Sequence, residues 1–486
     1  MLRISSVCVM LTWVVLLPAA AYTTSSAVAD IVHTEFNLDQ RVDDHDEQQN
    51  AVRIYVDVQA PPGGDGSTAA PFRTIADGLS RAREIRDSVR DRVIILVAPG
   101  SYTETYPLYV NVSNLELRGS TRLILDDEGM PQDCGGNGDA LPCMEAGTET
   151  LITPKNVLPN GRPLFMVAPT RDMREARLRD IDIRGFVFDG LGNVGLSGTA
   201  MFIDRVTNFL VDQNVIRHGG PGINTRLASG TMRSNFAYHN VDGLAASGGS
   251  QLEPAEVVLV ANRSTHNTAT GAIVLGTADV KTFSDDLNLK EIQTLFDPSL
   301  HPEQVPDTLA ITVERNDFSN NAMFGFRFEE YVTGSVFYDT TDNQPMTANI
   351  RAVVRHNTCR NNREYGFLIE GAFAPRSNPR KFTAMFDGTF RNNDLSGQAR
   401  AGLFVGFMLN GQVTRNPALI KTTQYLQDSA FRLRVAPEDG SYGIDYDNPE
   451  LDRFNGITPL NNTLLINRES IAGTHVTCPP GFPCNP

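Results

Sequence analysis

"RHNTCRNNREYGFLIEG" (355–371) has an Asn at 357, an Asn pair at 361–362, a Gly at 366 and a short apolar run after it. The pattern recurs. Aligned on the first Asn, it matches "VDQNVIRHGGPGINTR" (211–226), "MRSNFAYHNVDGLAAS" (232–247), "LVANRSTHNTATGAIVL" (259–275) and "VERNDFSNNAMFGFRFE" (313–329). The anchors are Asn214, Asn235, Asn262, Asn316 and Asn357. Eight or nine positions later come Gly222, Gly243, Gly271, Gly325 and Gly366. A degenerate copy spans 386–405, with Gly388 in the Asn place.

The shortest spacing between copies is 21 residues. A unit that small cannot bury its own apolar face and must stack on its neighbours. The apolar runs are short and alternate with period two, so they are strands. Three short strands separated by Asn and Gly describe one coil of a parallel β-helix. Asn tolerates the left-handed conformation of a tight bend, and its amide can bond the Asn of the next coil. The anchors are therefore expected to stack as a ladder at one corner, and the Gly to open the next strand. Four residues after each anchor come His218, His239, His266, Asn320, Asn361 and Asn392, expected as a second ladder at the next corner.

The chain has 486 residues, 41% of them hydrophobic and 20% charged, enough for a sizeable core. Its net charge is −15, which argues against a nucleic-acid partner because that polyanion needs a basic face. Arg3, an apolar run from Val7 to Leu17 and an Ala27-Val28-Ala29 site, with Ala19–Ala21 competing, read as a secretory signal over 1–29. No later stretch could span a bilayer, so the mature chain is expected to be secreted or periplasmic, as a monomer. Beyond the signal, 30–90 reads as an N-terminal segment and helix cap, 91–410 as the β-helix and 411–486 as a C-terminal coil and cap. In an oxidising compartment Cys134 pairs with Cys143 and Cys478 with Cys484. That leaves Cys359 buried and free, two after its anchor, in register with Ile216, Ala237, Ser264, Phe318 and Phe390.

This register resembles the pectate-lyase-like superfamily of right-handed parallel β-helices, with an asparagine ladder at one sharp turn, over about residues 90–410. Upstream, "GGDGSTAAPFRTIADGLSRA" (63–82) followed by "VIILVAPGSYTE" (93–104) is similar to the opening of extracellular β-helix domains of unknown function. Thr74 with Asp77 makes a capping-box-like helix start, and Ile75, Leu79, Ala82 and Ile85 form one apolar stripe. Such a helix would plug the open end of the first coil. The expected fold is all-β: a single right-handed parallel β-helix with an N-terminal capping α-helix and long loops on one face.

Insertions at 277–308, 331–349 and 371–381, and a longer one after "GLFVGF", all follow the Gly-initiated strand. They are expected to wall a groove along that strand's sheet, the sheet that holds the site in the polysaccharide enzymes the fold resembles. Alternation points Phe326, Phe328, Phe367 and Ile369 inward and Arg327, Glu329, Leu368 and Glu370 outward, with Asn224, Arg226 and Ser247 outward in earlier coils. Glu329 and Glu370 hold the same position in successive coils. They could perturb one another's pKa, share acid and base roles, or hold Ca²⁺ through carboxylate oxygens. The candidate catalytic residues are Glu329, Glu370, Arg327 and His239. The candidate substrate-binding residues are Arg226, Asn224 and Lys281. The competing reading of the glutamates is a solvated pair neutralised by Arg327; that of the histidines is structural hydrogen bonding.

The implied partner is a polysaccharide or cell-surface glycan, bound and cleaved or epimerised, with a uronate lyase or epimerase favoured over a hydrolase. The alternative is a non-catalytic structural or adhesive surface protein. Family motifs do not decide between them. Asp285-Asp286 sits in an insertion, neither G-H-G nor R-x-K occurs, and the epimerase D-P-H-D motif is absent. No catalytic residue carries over by motif, and fold does not fix function.

Overall fold

The structure is a computed structural model that describes residues 51–86, 92–136, 138–156, 162–169, 177–191, 198–249, 254–276, 307–331, 346–373, 382–391, 393–395, 401–406, 430–436, 444–445 and 463–468. From Val93 to Leu275 each coil gives one strand to each of three sheets; beyond Arg263–Thr265, sheet B continues among the described residues only as single bridges through Asp317, Thr358 and Asp394. Val206–Asp212 lies in sheet A, Val215–Arg217 in sheet B and Pro221–Arg226 in sheet C, and Ser229–Arg233 returns to sheet A. The strand pairs within all three sheets are parallel, as in Val215–Arg217 against Phe236–Tyr238. The coil is right-handed, the hand that parallel crossovers take. Sheet A begins at Val52–Val56, before the expected boundary, and its pairing continues through Ala430–Ala436 to Thr463–Arg468.

The anchor asparagines stack as expected. Asn214 donates from its N–H to Asn235 Oδ1 (3.1 Å), Asn235 likewise to Asn262 (3.1 Å), Asn262 to Asn316 (2.9 Å) and Asn316 to Asn357 (3.0 Å). Each Nδ2 also reaches the next Oδ1, at 2.9–3.2 Å. The ladder goes one rung further, from Asn357 to Asn393 (3.0 Å). This corrects the sixth copy: its anchor is Asn393, and Gly388 sits in a sheet A strand opposite Ala352. Leu395, not Phe390, therefore shares the core position with Cys359, while Phe390 pairs with Val354.

The left-handed residue at this corner is not the anchor but the residue before it. Gln213, Ser234, Ala261, Arg315 and His356 have φ of 52–57°. The second corner repeats the arrangement and overturns the expected register. His218, His239, His266, Asn320 and Asn361 are its left-handed residues, at φ 52–58°. The second ladder runs one position later, through Asn240, Asn267, Asn321 and Asn362, with N–H to Oδ1 distances of 2.9–3.1 Å. The reason is geometric: the left-handed residue turns the chain, and only the next side chain then points inside the bend. Asn392 lies outside the described residues.

The repeated Gly stands inside against these ladders. A Cβ on Gly325 would lie 2.7 Å from the Gly366 carbonyl oxygen and 2.8 Å from Cys359 Cβ, so no larger residue fits. One core runs the length of the coil. Phe326, Phe328 and Phe367 point into it with Phe318 and Cys359, as alternation requires. Burial drives the Cys359 thiol well above its ordinary pKa, reinforced by the charges of Asp317 and Asp394.

Helix α1 (Ile75–Arg86) closes the N-terminal end. Thr74 Oγ1 accepts from the Asp77 N–H (3.1 Å) and donates to Asp77 Oδ2 (2.7 Å), the expected start. Ile75, Leu79 and Ala82 join the core, with Ile85 packed beside them. The buried Glu104 accepts the Ile75 N–H (2.8 Å) at the positive end of the helix dipole.

Cys134 and Cys143 are bonded, with Cα atoms 5.2 Å apart, and Cys359 is free. Their loop, between the sheet A strand Leu115–Arg118 and the sheet B strand Thr150–Pro154, lies over sheet B. Leu123 and Ala140 cover Val187, Val215, Phe236 and Tyr238 there. The decorations are therefore not confined to the sheet that follows the Gly. Cys478 and Cys484 lie outside the described residues.

Asn316→Ala is expected to lower unfolding free energy by roughly 2–4 kcal/mol, because it strands the buried Asn262 N–H and the Leu259 carbonyl it serves; urea titration measures it. Cys359 should resist a thiol reagent in the folded protein and react once the chain unfolds.

Candidate functional site

Sheet C presents three outward rows. The first, immediately before the repeated Gly, is Pro221, Asp242, Thr270, Phe324 and Tyr365. The second is Asn224, Ala245, Ile273, Arg327 and Leu368, and the third is Arg226, Ser247, Leu275, Glu329 and Glu370. Successive members stand about 4.8 Å apart, set by strand spacing.

The chemistry concentrates in the first two rows. Desolvation raises the Asp242 carboxyl above its ordinary pKa, while the Thr270 hydroxyl, the Arg327 charge and the Thr270 N–H pull it down. Arg327 is half-buried, with its guanidinium carbon 5.5 Å from the Phe324 ring centroid. The Phe324 and Tyr365 rings stack nearly parallel, with centroids 6.0 Å apart. Phe324 and Leu368 are buried, and half-buried Tyr365 packs against them, in a small apolar cluster beside the charged groups. A proton-binding carboxyl, a guanidinium and flat apolar rings thus share one face of a rigid sheet.

The expected site residues divide. Arg327 is in this cluster. Glu329 and Glu370 are direct backbone partners, as the repeat predicts, but their side chains lie outside the described residues, as does all of Lys281. Asn224 is half-buried on the same face, and its Oδ1 has no hydrogen-bond partner among the described residues.

Arg226 is corrected. It is 4% exposed and donates through Nε (2.8 Å) and Nη2 (2.9 Å) to Asp204, which is fully buried in the adjacent strand. The bidentate pair holds it in the framework instead of a groove. The reason is its neighbour in register: Asp204 lies directly opposite Arg226, and neither charge could be buried without the other.

His239 is also displaced from the cluster. It belongs to a column of histidines at the corner between sheets B and C, two coils before Glu329 and three before Glu370, or roughly 10 and 14 Å along the axis. His218 and His239 stack at 5.9 Å, and His266 lies edge-on at 6.5 Å. His218 Nδ1 bonds Asp189 (2.9 Å), which also accepts from Arg217 Nε (2.9 Å). Arg217 reaches on to the Tyr238 hydroxyl (3.0 Å). Burial lowers the pKa of His239, and the neighbouring His218 and His266 add to it. Among the described residues no group of three His, Cys, Asp or Glu is arranged to hold a metal ion, so the column does not form the three-ligand centre its stacking suggests.

The sequence reading missed Asp242, Thr270, Phe324 and Tyr365 as a row. The signal was available: each directly precedes the repeated Gly, and because that Gly must face inward, its predecessor faces out.

No family model matches this chain, and no curated protein matches it. Among solved structures it is similar to the A-module of the mannuronan C-5 epimerase AlgE4 of Azotobacter vinelandii, at 12% identity and a TM-score of 0.41, covering 89% of this chain and 100% of that one. A family 28 exopolygalacturonase of Yersinia enterocolitica aligns at 11% identity and 0.43, covering 88% and 77%. A rhamnogalacturonan lyase aligns at 13% and 0.42, covering 80% and 88%. Likenesses at this level carry no argument about what this chain binds or does.

Because His239 binds its proton less readily in the folded chain, the folded state holds fewer protons there than the unfolded state once pH falls below about 6.5. Its contribution to stability therefore declines on acidification. His239→Asn, placing the residue found at Asn320 and Asn361 in the same left-handed position, is expected to narrow the gap between melting temperatures at pH 7.5 and pH 5.

Proposed function

We propose that this is an extracytoplasmic carbohydrate-active protein that binds an acidic polysaccharide along sheet C and cleaves or epimerises it by proton transfer at a uronic acid. The observation that carries the reading is Asp242: a carboxyl with raised proton affinity, within the field of Arg327, on the outer face of a rigid sheet. The disulfide supports an oxidising compartment.

In this reading Arg327 pairs with the sugar carboxylate, and the half-buried Tyr365 ring, backed by the buried Phe324, receives an apolar sugar face. Neutralising the carboxylate acidifies the adjacent C5 proton. Asp242 in its ionised form takes that proton. In a lyase the C4–O bond then breaks, the departing oxygen gains a proton, and an unsaturated uronate remains. In an epimerase a proton returns to the opposite face of C5. Glu329 and Glu370 are the residues that would hold a calcium ion, which would bridge this acidic chain to an acidic sugar.

The test is a screen for ultraviolet-absorbing unsaturated uronates, and for C5 inversion by NMR, on alginate, pectate and glycosaminoglycans with and without calcium. Asp242→Asn should abolish turnover of any substrate found, with little change in melting temperature. Arg327→Gln should chiefly raise KM. Binding without turnover by the wild-type protein would select a non-catalytic glycan binder; absence of binding to every polymer would reject the sheet C assignment.

A further inference from the structure

A second site stands apart from sheet C. The last outward position of the sheet A strands is, coil by coil, Tyr55, Leu96, Arg118, Arg184, Asp212 and Arg233. A cleft of ≈ 720 Å³ lies over the start of this row, at the corner leading to sheet B. That volume suits a small-molecule ligand. Tyr55, Leu96 and Pro71 give it an apolar side, and Arg118 and Arg184 stand next in line. Ser120, Thr121, Arg122 and Thr148, from the start and end of the disulfide-bearing loop, also line it.

The arginines are held by buried carboxylates that do not cancel them. Glu116 accepts from Arg118 Nε (2.6 Å) and from Arg184 Nε (3.1 Å), and lies 3.5 Å from Arg92 Nη2. Asp182 lies 2.9 Å from Arg184 and 3.3 Å from Arg92. Three guanidiniums thus face these two carboxylates; Asp212, next in the row, is taken up by Arg233 (2.6 Å), and Asp57 and Arg122 also line the cleft. The Arg122 side chain is 71% exposed and only loosely paired with Glu145, at 3.6 Å. Burying the carboxylates while leaving the Arg118 side chain 31% exposed orients positive charge toward the cleft. Adjacent guanidiniums about one strand spacing apart suit the oxygens of a single planar or tetrahedral anion.

We propose that this cleft binds a small saccharide bearing a carboxylate, its acidic group on Arg118 and Arg184 and its apolar face toward Tyr55 and Leu96. The inference is independent of chemistry on sheet C.

The test is calorimetric titration of the mature chain carrying Arg327→Gln, which disables the sheet C site, with galacturonate, glucose and sodium sulfate. Galacturonate should bind, more weakly as salt rises, and glucose should not. Adding Arg118→Gln should weaken binding about tenfold, the loss of one charge-assisted hydrogen bond, while Glu116 keeps its other arginines. Arg122→Glu should weaken it too, and because this side chain is exposed it decides the matter should the Arg118 variant fail to fold. Failure of galacturonate to bind, binding unchanged in the foldable variants, or sulfate binding without galacturonate binding would each overturn the proposal. Absence of turnover by the wild-type chain on every polymer, with this binding intact, would count against the sheet C reading alone.

Discussion

Everything in this molecule depends on the buried amide ladder. A coil of about two dozen residues turns three corners, and at each corner backbone groups point into an apolar interior where no strand can pair them. The asparagine side chain answers this directly. Its oxygen accepts from the coil before, and its amide nitrogen donates to neighbouring carbonyls and to the next rung. One residue type serves the turn in its own coil and the register of the next. Because each rung leans on its neighbours, the ladder converts a loose string of repeats into a stack of fixed pitch.

That pitch makes sheet C a platform for chemistry. Outward rows are straight and evenly spaced, so residues far apart in sequence, such as Asp242 and Arg327, are set at defined separations by backbone geometry alone. The same regularity can use up a charge. Arg226 meets Asp204 at one strand spacing and the two are buried together, which removes Arg226 from the surface it was expected to line. A charge on an outward position becomes functional only where its neighbours in the row leave it something to do.

The ladder, the position of the Gly, the helix cap, the nearer disulfide and the buried Cys359 were all legible in the sequence, because each is a local rule repeated at a recognisable period. The errors were of register. Anchoring the sixth copy on Gly388 overlooked that Asn393 lies nine residues before Gly402, within the eight or nine that the other copies keep. Reading the histidine column as a ladder position missed the second ladder by one residue. Both errors arise because Asn suits two adjacent roles at a corner, the left-handed turn and the inward rung, and composition does not distinguish them. The row through Asp242 follows from a related constraint: the inward Gly determines the facing of the residue before it as well as of those after it.

The sequence by itself determined the architecture: a period of Asn and Gly, strand-length apolar runs and a capping helix admit few folds other than a stacked coil. Burial and charge balance were decided only by the tertiary structure, since they depend on which residue of another coil lies opposite. Arg226 and Arg118 are both arginines near the end of a strand. One meets a buried aspartate, and the other shares a glutamate with two further arginines and keeps part of its charge for solvent. That difference is set across coils, by residues with no fixed separation along the chain.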